Sequence, residues 1–544
     1  MIGLFPVQHF HLYDFPVLRV LNKQLLGLML SLIMALSWPV TFLPAVMAAG
    51  TPGKAFNYQK VVTLARQLAA KSYQAPEKKV PEFLLRIDYD DWRDIRFRQE
   101  RALWIKENLP FVVQFFHPGL LYDRPVKINV VNTHGVRPLG FSPDLFDYGK
   151  NDFKDRLPRD LGFAGFRIHY SINTPEYKDE IVAFLGATYF RAVAKQQNYG
   201  LSARALAIDT ATLSGEEFPF FREFWLLRPS KTATELIVLA LVDTPSLAGA
   251  YRFVIRPGRE TVIDVTGRLF MREKVEKLCL APLTSMFFYG EITLQRLIHD
   301  FRPEVHDSDG LQVASGEGEW IWRPLSNPGS LLVTSFQTRD PVGFGLIQRD
   351  QNFDHYQDLE ARYESRPSLW VTPIGQWGSG RIELVQIPTN NEYNDNIIAY
   401  WVPSDPSKLG QPIPFSYRLT WHSPVNQRPP EGRVVATRIA KGKEEGLWSF
   451  LIDFEGQKLE QFPADKPLTA VITTDPRIRL IEQQLYKNSI TKGWRLVFKI
   501  RMKEESSVER LLPPNKKTAH ELRAFIKLGD RPLTETWSYA HISH

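Results

Sequence analysis

Cysteine is nearly missing from this chain, which has a single one, Cys279, among 544 residues. One thiol excludes an intramolecular disulfide framework and any zinc site built from several cysteines. Because leucine and alanine residues flank it, we expect Cys279 to be a small buried residue. The chain therefore needs no oxidative folding, although an oxidising compartment would permit it.

A strong excess of charge of one sign is also missing. Lys and Arg number 67 and Asp and Glu number 60, which gives a formal net charge of +7. The two signs alternate along the chain, and no basic block is interleaved with aromatic residues. Nucleic-acid binding proteins usually carry such a block, so no nucleic-acid partner is expected. Hydrophobic residues at 44% exclude a disordered chain.

Long hydrophobic runs are confined to the N-terminus. Arg19 and Lys23 precede an apolar stretch over 25–43, and small residues follow at 46–48. This order is typical of a secretory signal peptide, so we predict that residues 1–48 are removed. A membrane anchor is the alternative. No later run reaches 18 apolar residues, so the mature chain is expected to be soluble.

The rest of the chain has the pattern of an all-β protein. Helical periodicity is limited to a short stretch within 56–74. Beyond it, short runs of β-branched and aromatic residues are broken by Gly, Pro, Asn and Asp, as at 126–131, 236–239 and 252–255. Turn signals at this spacing predict a β-sandwich or barrel rather than alternating strands and helices.

A proline-rich stretch over 402–414 indicates a domain boundary, because it has neither the helical nor the strand period. Apolar residues alternate cleanly after it, at 415–421, 448–454 and 494–500. We therefore predict a large β-sandwich domain over 50–401, a linker over 402–414 and a small immunoglobulin-like sandwich over 415–544.

Tryptophan is concentrated in the region that also holds the acidic loops, where residues 320–401 include Trp320, Trp322, Trp370, Trp377 and Trp401. Aromatic rings stack on the flat C–H faces of sugars, while carboxylates and amides bind the hydroxyl groups. This combination predicts a trough that binds carbohydrate. Core tryptophans of a large sandwich are the alternative.

Acid-assisted cleavage of a glycosidic bond needs one protonated and one ionised carboxyl group. Loop carboxyls beside aromatic residues are candidates because an apolar wall raises the carboxyl pKa, and five qualify: Asp307, Asp309, Asp354, Glu392 and Asp395. For each one, a solvated turn residue is the alternative. The histidines here lack metal-ligand spacing, so we predict no metal and no cofactor.

Several sequence blocks resemble the periplasmic glucan biosynthesis proteins of types G and D, which act on osmoregulated periplasmic glucans. The matching blocks are Asp160–Phe166, Gly200–Arg204, Ala207–Thr210, Ser214–Pro219, Ala281–Phe287, Glu319–Pro324, Asn394–Asn396 and Thr491–Leu496. The resemblance implies a galactose-mutarotase-like sandwich followed by an immunoglobulin-like domain, located in the periplasm. Asn391 and Tyr393 depart from the residues that relatives often carry, Asp and Thr.

The resemblance also implies an activity, that of an inverting endo-β-1,2-glucanase. Asp395 corresponds to the general acid, and Asp307 to a general base that acts through a chain of water molecules. The alternative is a non-catalytic module that binds β-1,2-glucan or guides it at a membrane glucan synthase. A homodimer is left open.

Further sugar contacts are expected from planar guanidinium groups and aromatic rings near these loops. The candidates are Trp320, Trp322, Arg323, Tyr356, Arg366, Trp370 and Trp377. The polar segment 349–363 is either a lid over the site or a plain surface loop.

Overall fold

A computed structural model describes residues 56–294, 299–405, 411–423, 429, 431–502 and 519–542. Strands are the dominant secondary structure of these residues and helices are few, which confirms the all-β prediction. The predicted signal peptide lies outside the described residues. In the part of the chain that is described, no helix has the length and hydropathy needed to cross a membrane.

Helices are few and short in the described residues: α1 (Tyr58–Ala69), α2 (Glu82–Leu85), α3 (Tyr89–Arg93) and α4 (Gln457–Glu460). Helix α1 follows Asn57, whose side chain accepts the N–H of Lys60 at 3.2 Å, the usual way to satisfy a free N-terminal donor. Its buried Val61, Val62 and Ala65 pack with apolar residues of the neighbouring strands. The helical pattern expected within 56–74 is confirmed.

The first seventeen strands, in chain order, are β1 (Arg96–Phe97), β2 (Val112–Phe116), β3 (Lys127–Asn132), β4 (Gly135–Pro138), β5 (Phe146–Asp147), β6 (Gly165–Tyr170), β7 (Asp179–Leu185), β8 (Tyr189–Ala192), β9 (Ser202–Arg204), β10 (Leu206–Ile208), β11 (Phe220–Leu227), β12 (Leu236–Thr244), β13 (Leu247–Arg256), β14 (Thr261–Met271), β15 (Leu278–Ser285), β16 (Phe287–Tyr289) and β17 (Val305–His306). The remaining strands are β18 (Gly310–Ala314), β19 (Trp320–Pro324), β20 (Leu332–Arg339), β21 (Gly343–Ile347), β22 (Ser368–Pro373), β23 (Ser379–Gln386), β24 (Ile397–Pro403), β25 (Pro412–His422), β26 (Arg433–Lys441), β27 (Leu447–Glu455), β28 (Thr469–Thr474), β29 (Ile478–Lys487), β30 (Trp494–Met502), β31 (Ala519–Leu528), β32 (Arg531–Pro532) and β33 (Thr536–Ile542). Short 3-10 turns cover Gln99–Arg101, Pro143–Leu145, Lys154–Arg156, Phe353–His355 and Tyr363–Ser365.

Two large sheets contain most of these strands. The first has the order β2-β6-β7-β8-β9-β15-β24-β23-β20, with β10 paired to β15. The second has the order β28-β31-β33-β19-β18-β21-β22-β25-β14-β13-β12-β11-β3-β4, with β32 paired to β31. Aromatic side chains join the two: Phe184 on β7 meets Phe253 on β13 with ring centroids 5.3 Å apart and planes at 70°. Such edge-to-face contacts favour close packing of the sheets.

The C-terminal part forms a second sandwich. Its four-stranded sheet, β26-β27-β30-β29, packs against the end of the second large sheet. Phe450 lies in this core, 5.0 Å from the Phe498 ring and 5.8 Å from the Trp537 ring. The strands expected at 448–454 and 494–500 are therefore confirmed. The immunoglobulin-like and galactose-mutarotase-like assignments stay predictions.

The predicted linker and boundary need a correction. Strand β24 continues to Pro403, and β25 already begins at Pro412. Strand β25 pairs with β14 along its length, with Trp421 opposite Thr261. Its other edge pairs with β22. The strand over 415–421 is thus confirmed, but it belongs to the large domain's sheet and not to the small domain. Alternation identifies a strand without indicating which neighbours it pairs with.

Candidate functional site

Asp395 lies in the loop over 387–396 that joins β23 to β24. The next residue, Asn396, fixes the end of this loop. Its Oδ1 accepts the backbone N–H of Phe287 at 2.9 Å, and its Nδ2 donates to the carbonyls of Phe287 and Ile387 at 3.0 Å each. The two bonds to Phe287 hold the backbone beside Asp395 against the strand over 287–289, and the bond to Ile387 joins the two ends of the loop.

The surroundings of Asp395 favour its protonated form. Burial raises the pKa of this half-buried carboxyl to about 6, because desolvation penalises the ionised form. The positive charge of Arg191 opposes this rise in pKa, and the negative charge of Asp307 adds to it. A carboxylic acid with a pKa near 6 can donate a proton in mildly acidic or neutral solution.

Asp307 follows β17 and is only 4% exposed. Its backbone N–H donates to the carbonyl of Met286 at 2.8 Å, and its side chain forms an ion pair with Arg366, itself 2% exposed. Arg366 also donates from Nε and Nη2 to the carbonyl of Ala361, at 3.2 and 3.1 Å. The two buried charges therefore compensate each other.

A cluster of titratable groups lies beside Asp307. His306 contacts Glu304 at 2.9 Å and the Gln348 amide oxygen at 3.1 Å. Burial lowers the pKa of His306, but the bond to Glu304 and the charge of Asp309 outweigh it and raise the pKa to about 9. Burial raises the pKa of Asp309 to about 6. The imidazole is therefore mostly protonated at neutral pH.

This cluster also offers groups that could ligate a metal ion. The ligand atoms of Glu304, His306 and Asp309 lie within 4.8 Å of one another, and so do those of Glu304, Asp350 and His355. Hydrogen bonds and ion pairs already connect these side chains. The expectation that the protein holds no metal stays a prediction.

The predicted tryptophan-walled trough is wrong for its central members. Trp322 is 4% exposed and Trp370 is 2% exposed, and both belong to the core beneath the C-terminal sandwich. Trp320 is half-buried and stacks on Trp370 with ring centroids 5.9 Å apart. Trp377 is half-buried and donates from Nε1 to the Ser416 carbonyl at 3.2 Å. The spacing of two puts Trp320 and Trp322 on one face, but that face packs inward.

Two other predicted sugar contacts are also core residues. Arg323 is 1% exposed and donates to both carboxylate oxygens of Glu521, at 2.7 and 2.6 Å. Tyr356 has no exposed surface, and its hydroxyl donates to the Asp350 carbonyl at 3.1 Å. Polar groups inside a protein need such partners, and here the partners are internal. Arg366 is buried too, but it lies against Asp307.

The remaining candidate carboxyls lie in different surroundings. Asp354 is exposed and accepts a bond from the Gln357 amide at 3.2 Å, so it is a turn residue. Glu392 is half-buried and forms an ion pair with Arg302 at 2.7 Å. Of the five carboxyls, Asp307 is close enough to Asp395 for its charge to raise the pKa of Asp395, and Asp309 lies in the cluster of titratable groups beside Asp307.

An aromatic group near Asp395 was not predicted from the sequence. A cavity of about 40 Å³ is lined by residues that include Trp92, Tyr122, Tyr189, Arg191 and Tyr199. The Arg191 guanidinium lies 5.6 Å from the centroid of the Tyr199 ring, and its charge acts on Asp395. A signal was present, because Arg191 interrupts the apolar run over 189–194.

Comparison with known proteins decides the family. The family described as "Periplasmic glucan biosynthesis protein, MdoG" matches residues 56–541. The chain belongs to this periplasmic glucan biosynthesis family. It is 48% identical over 502 residues to "Glucans biosynthesis protein G" of Ralstonia nicotianae, covering 91% of this chain and 97% of that protein.

Other family members give the same result. The protein of the same description from Pseudomonas paraeruginosa is 44% identical over 506 residues, covering 91% of this chain and 94% of that protein. The Pseudomonas aeruginosa protein matches equally well. A xanthan lyase structure from Paenibacillus aligns with a TM-score of 0.21 and 7% identity, over 62% of this chain and 36% of the lyase. A likeness this weak has no bearing on the fold or the site.

Proposed function

We propose that this protein is a periplasmic glycoside hydrolase that cleaves β-1,2-glucan internally during glucan biosynthesis, with inversion at the anomeric carbon. The observation that carries the proposal is Asp395, a half-buried carboxyl with a pKa raised to about 6 and within electrostatic range of the Asp307–Arg366 pair. A carboxyl whose pKa is raised, acting together with a carboxylate held in an ion pair, is a combination suited to glycoside hydrolysis.

The chemistry divides between the two carboxyl groups. Asp395 donates its proton to the glycosidic oxygen as the C–O bond breaks, so the bonding electrons leave with a neutral hydroxyl group. A water molecule attacks the anomeric carbon from the opposite face and forms the new C–O bond. Its proton passes through further water to Asp307. An inverting reaction requires space for this water between the two carboxyls, typically about 6.5–9.5 Å, and a water relay allows more.

The second candidate is a non-catalytic glucan-binding module that guides the polymer at a membrane glucan synthase. The ion pair of Asp307 with a buried arginine favours this alternative, because a carboxylate already compensated by a cation is less available as a base. The word "biosynthesis" in the description of the relatives is compatible with either role.

One assay on linear β-1,2-glucan separates the candidates. A hydrolase releases reducing ends in proportion to enzyme and time. A binding module releases none, but glucan raises its unfolding free energy by about 2.7 kcal/mol at a hundredfold excess over the dissociation constant. Stabilisation without product would overturn the hydrolase proposal, and neither effect would overturn both.

A further inference from the structure

Arg302 holds carboxylates from three chain segments. Its Nε and Nη2 atoms bind the two oxygens of Asp300 at 3.0 and 2.7 Å. Its Nη1 atom binds Asp358 at 2.9 Å and Glu392 at 2.7 Å. The Arg302 side chain is 15% exposed and its three partners are 13–23% exposed. One cation thus joins the segments near 300, 358 and 392.

The first connection leads to the loop of Asp395. Glu392 lies in that loop, three residues before Asp395. The same oxygen of Glu392 that binds Arg302 also accepts the Tyr363 hydroxyl at 2.8 Å. The Tyr363 ring in turn lies 4.2 Å from the Arg366 guanidinium, a cation–π contact.

The second connection leads to Asp307. The other oxygen of Asp358 accepts the backbone N–H groups of Glu360 and Ala361, at 2.9 and 2.7 Å. The carbonyl of Ala361 accepts two bonds from Arg366, which forms the ion pair with Asp307. Fixing Asp358 therefore fixes the turn that orients Arg366.

We propose that Arg302 is a positioning residue that sets the loop of Asp395 relative to the Asp307–Arg366 pair. This inference rests on the proposed function, because it assigns Arg302 a part in the same reaction. Without the guanidinium, three carboxylates would face one another with no cation at their centre and would repel. The part of the loop around Glu392 would then lose its anchor, while Asn396 still holds the end of the loop, and Asp395 between them would be positioned less tightly.

The test uses the full chain with Arg302→Gln and, as matched control, Arg495→Gln. Arg495 binds Asp453 through two nitrogens at 2.7 and 2.8 Å, but in the C-terminal sheet. Initial rates on linear β-1,2-glucan give kcat and KM. Hydrogen exchange of peptides covering 387–397 reports the loop without requiring turnover.

For Arg302→Gln we expect kcat to fall by roughly tenfold to a hundredfold, as for other small misplacements of catalytic groups, with KM changed far less. Exchange in 387–397 should accelerate, whereas Arg495→Gln should leave both readouts at wild-type values. Adding Glu392→Gln to Arg302→Gln should recover part of the lost kcat, since it removes one of the repelling charges.

Wild-type kcat and exchange in Arg302→Gln would overturn the inference, as would an equal fall in kcat in the control. Failure of the proposed function is distinguishable from this. If the wild-type chain releases no reducing ends, the hydrolase proposal fails, and the exchange data alone decide whether Arg302 holds the loop.

Discussion

Arg366 and Asp307 form an ion pair in which neither side chain has more than a few per cent of its surface exposed. A buried carboxylate without its cation would be unfavourable by several kcal/mol, so each residue depends on the other. Arg366 is held in turn by the Ala361 carbonyl and the Tyr363 ring. Asp307, the proposed base, is therefore held in position by residues 361–366 as well as by strand β17, which it follows.

The raised pKa of Asp395 predicts how activity depends on pH. The proposed acid must be protonated, and its pKa is about 6 where a free aspartate has about 4. The acid is thus available below about pH 6 and is lost as the pH rises through that value. We expect kcat to fall above about pH 6 in a pH–rate series on β-1,2-glucan. A rate that stays constant from pH 5 to pH 9 would contradict the assignment.

Gly200 lies close to Arg366, which gives a test of preorganisation. A Cβ atom at Gly200 would lie 3.0 Å from Cβ and 3.2 Å from Cδ of Arg366, so the arginine would have to shift. Gly200→Ala should lower kcat about tenfold through the displaced Asp307–Arg366 pair, with stability reduced by only about 1 kcal/mol. Rate and thermal unfolding measurements check the two effects.

Gly140→Ala is the matched control for that variant. No atom lies within 4 Å of a Cβ added at Gly140, so the extra methyl group meets open space. We expect the kcat of Gly140→Ala to equal that of the wild type. If both variants lose activity equally, the position of Arg366 is not what limits the rate.

A substitution of Trp370 tests whether this residue belongs to the core or stacks on sugar. Its ring is 2% exposed and stacks on Trp320. Trp370→Ala should reduce the unfolding free energy by about 3–5 kcal/mol, as large-to-small core substitutions do. Titration calorimetry should give the folded fraction of Trp370→Ala the same glucan affinity as the wild type. Preserved stability with weakened binding would place the ring in a cleft.

The C-terminal sandwich is joined to the site region by Arg349 and Glu535. Their paired atoms lie 2.6 and 3.0 Å apart, and the side chains are 10% and 0% exposed. Glu535→Gln leaves Arg349 without a compensating charge, so we expect a loss of about 3 kcal/mol in urea unfolding. Glu482→Gln, which breaks an exposed pair with Lys499, should change stability by less than about 1 kcal/mol. Equal losses of stability in the two variants would show that burial does not determine how much an ion pair contributes to stability.

Much of the fold could be predicted from local patterns. Helix α1 and strands β3, β12, β13, β27 and β30 lie where the periodicity placed them, because side-chain spacing reports directly on local geometry. Long-range pairing could not be predicted in this way. Strand β25 has the expected alternation, but it lies between β14 and β22 in the sheet. Its pairing with β14 joins residues that are more than a hundred positions apart in the sequence.

What the sequence could predict about the candidate site was limited in the same way. The resemblance indicated Asp395 and Asp307, and the structure brings them within electrostatic range. It could not indicate that Trp322, Trp370, Arg323 and Tyr356 are buried, since an aromatic or arginine residue has the same pattern on an inward or outward face. Arg191 was not predicted because it is about 200 positions from Asp395 in the sequence, and only the folded chain brings its charge near that carboxyl.

In the proposed mechanism, Asp395 donates a proton to the departing sugar while Asp307 receives one through water. Reducing-end release from linear β-1,2-glucan by Asp395→Asn and by Asp307→Asn tests it most directly, with folding checked by thermal unfolding. Each variant should fold, Asp307→Asn with a lower unfolding temperature because Arg366 loses its compensating charge, and each should release no reducing ends above background. Wild-type turnover in either variant would contradict the account.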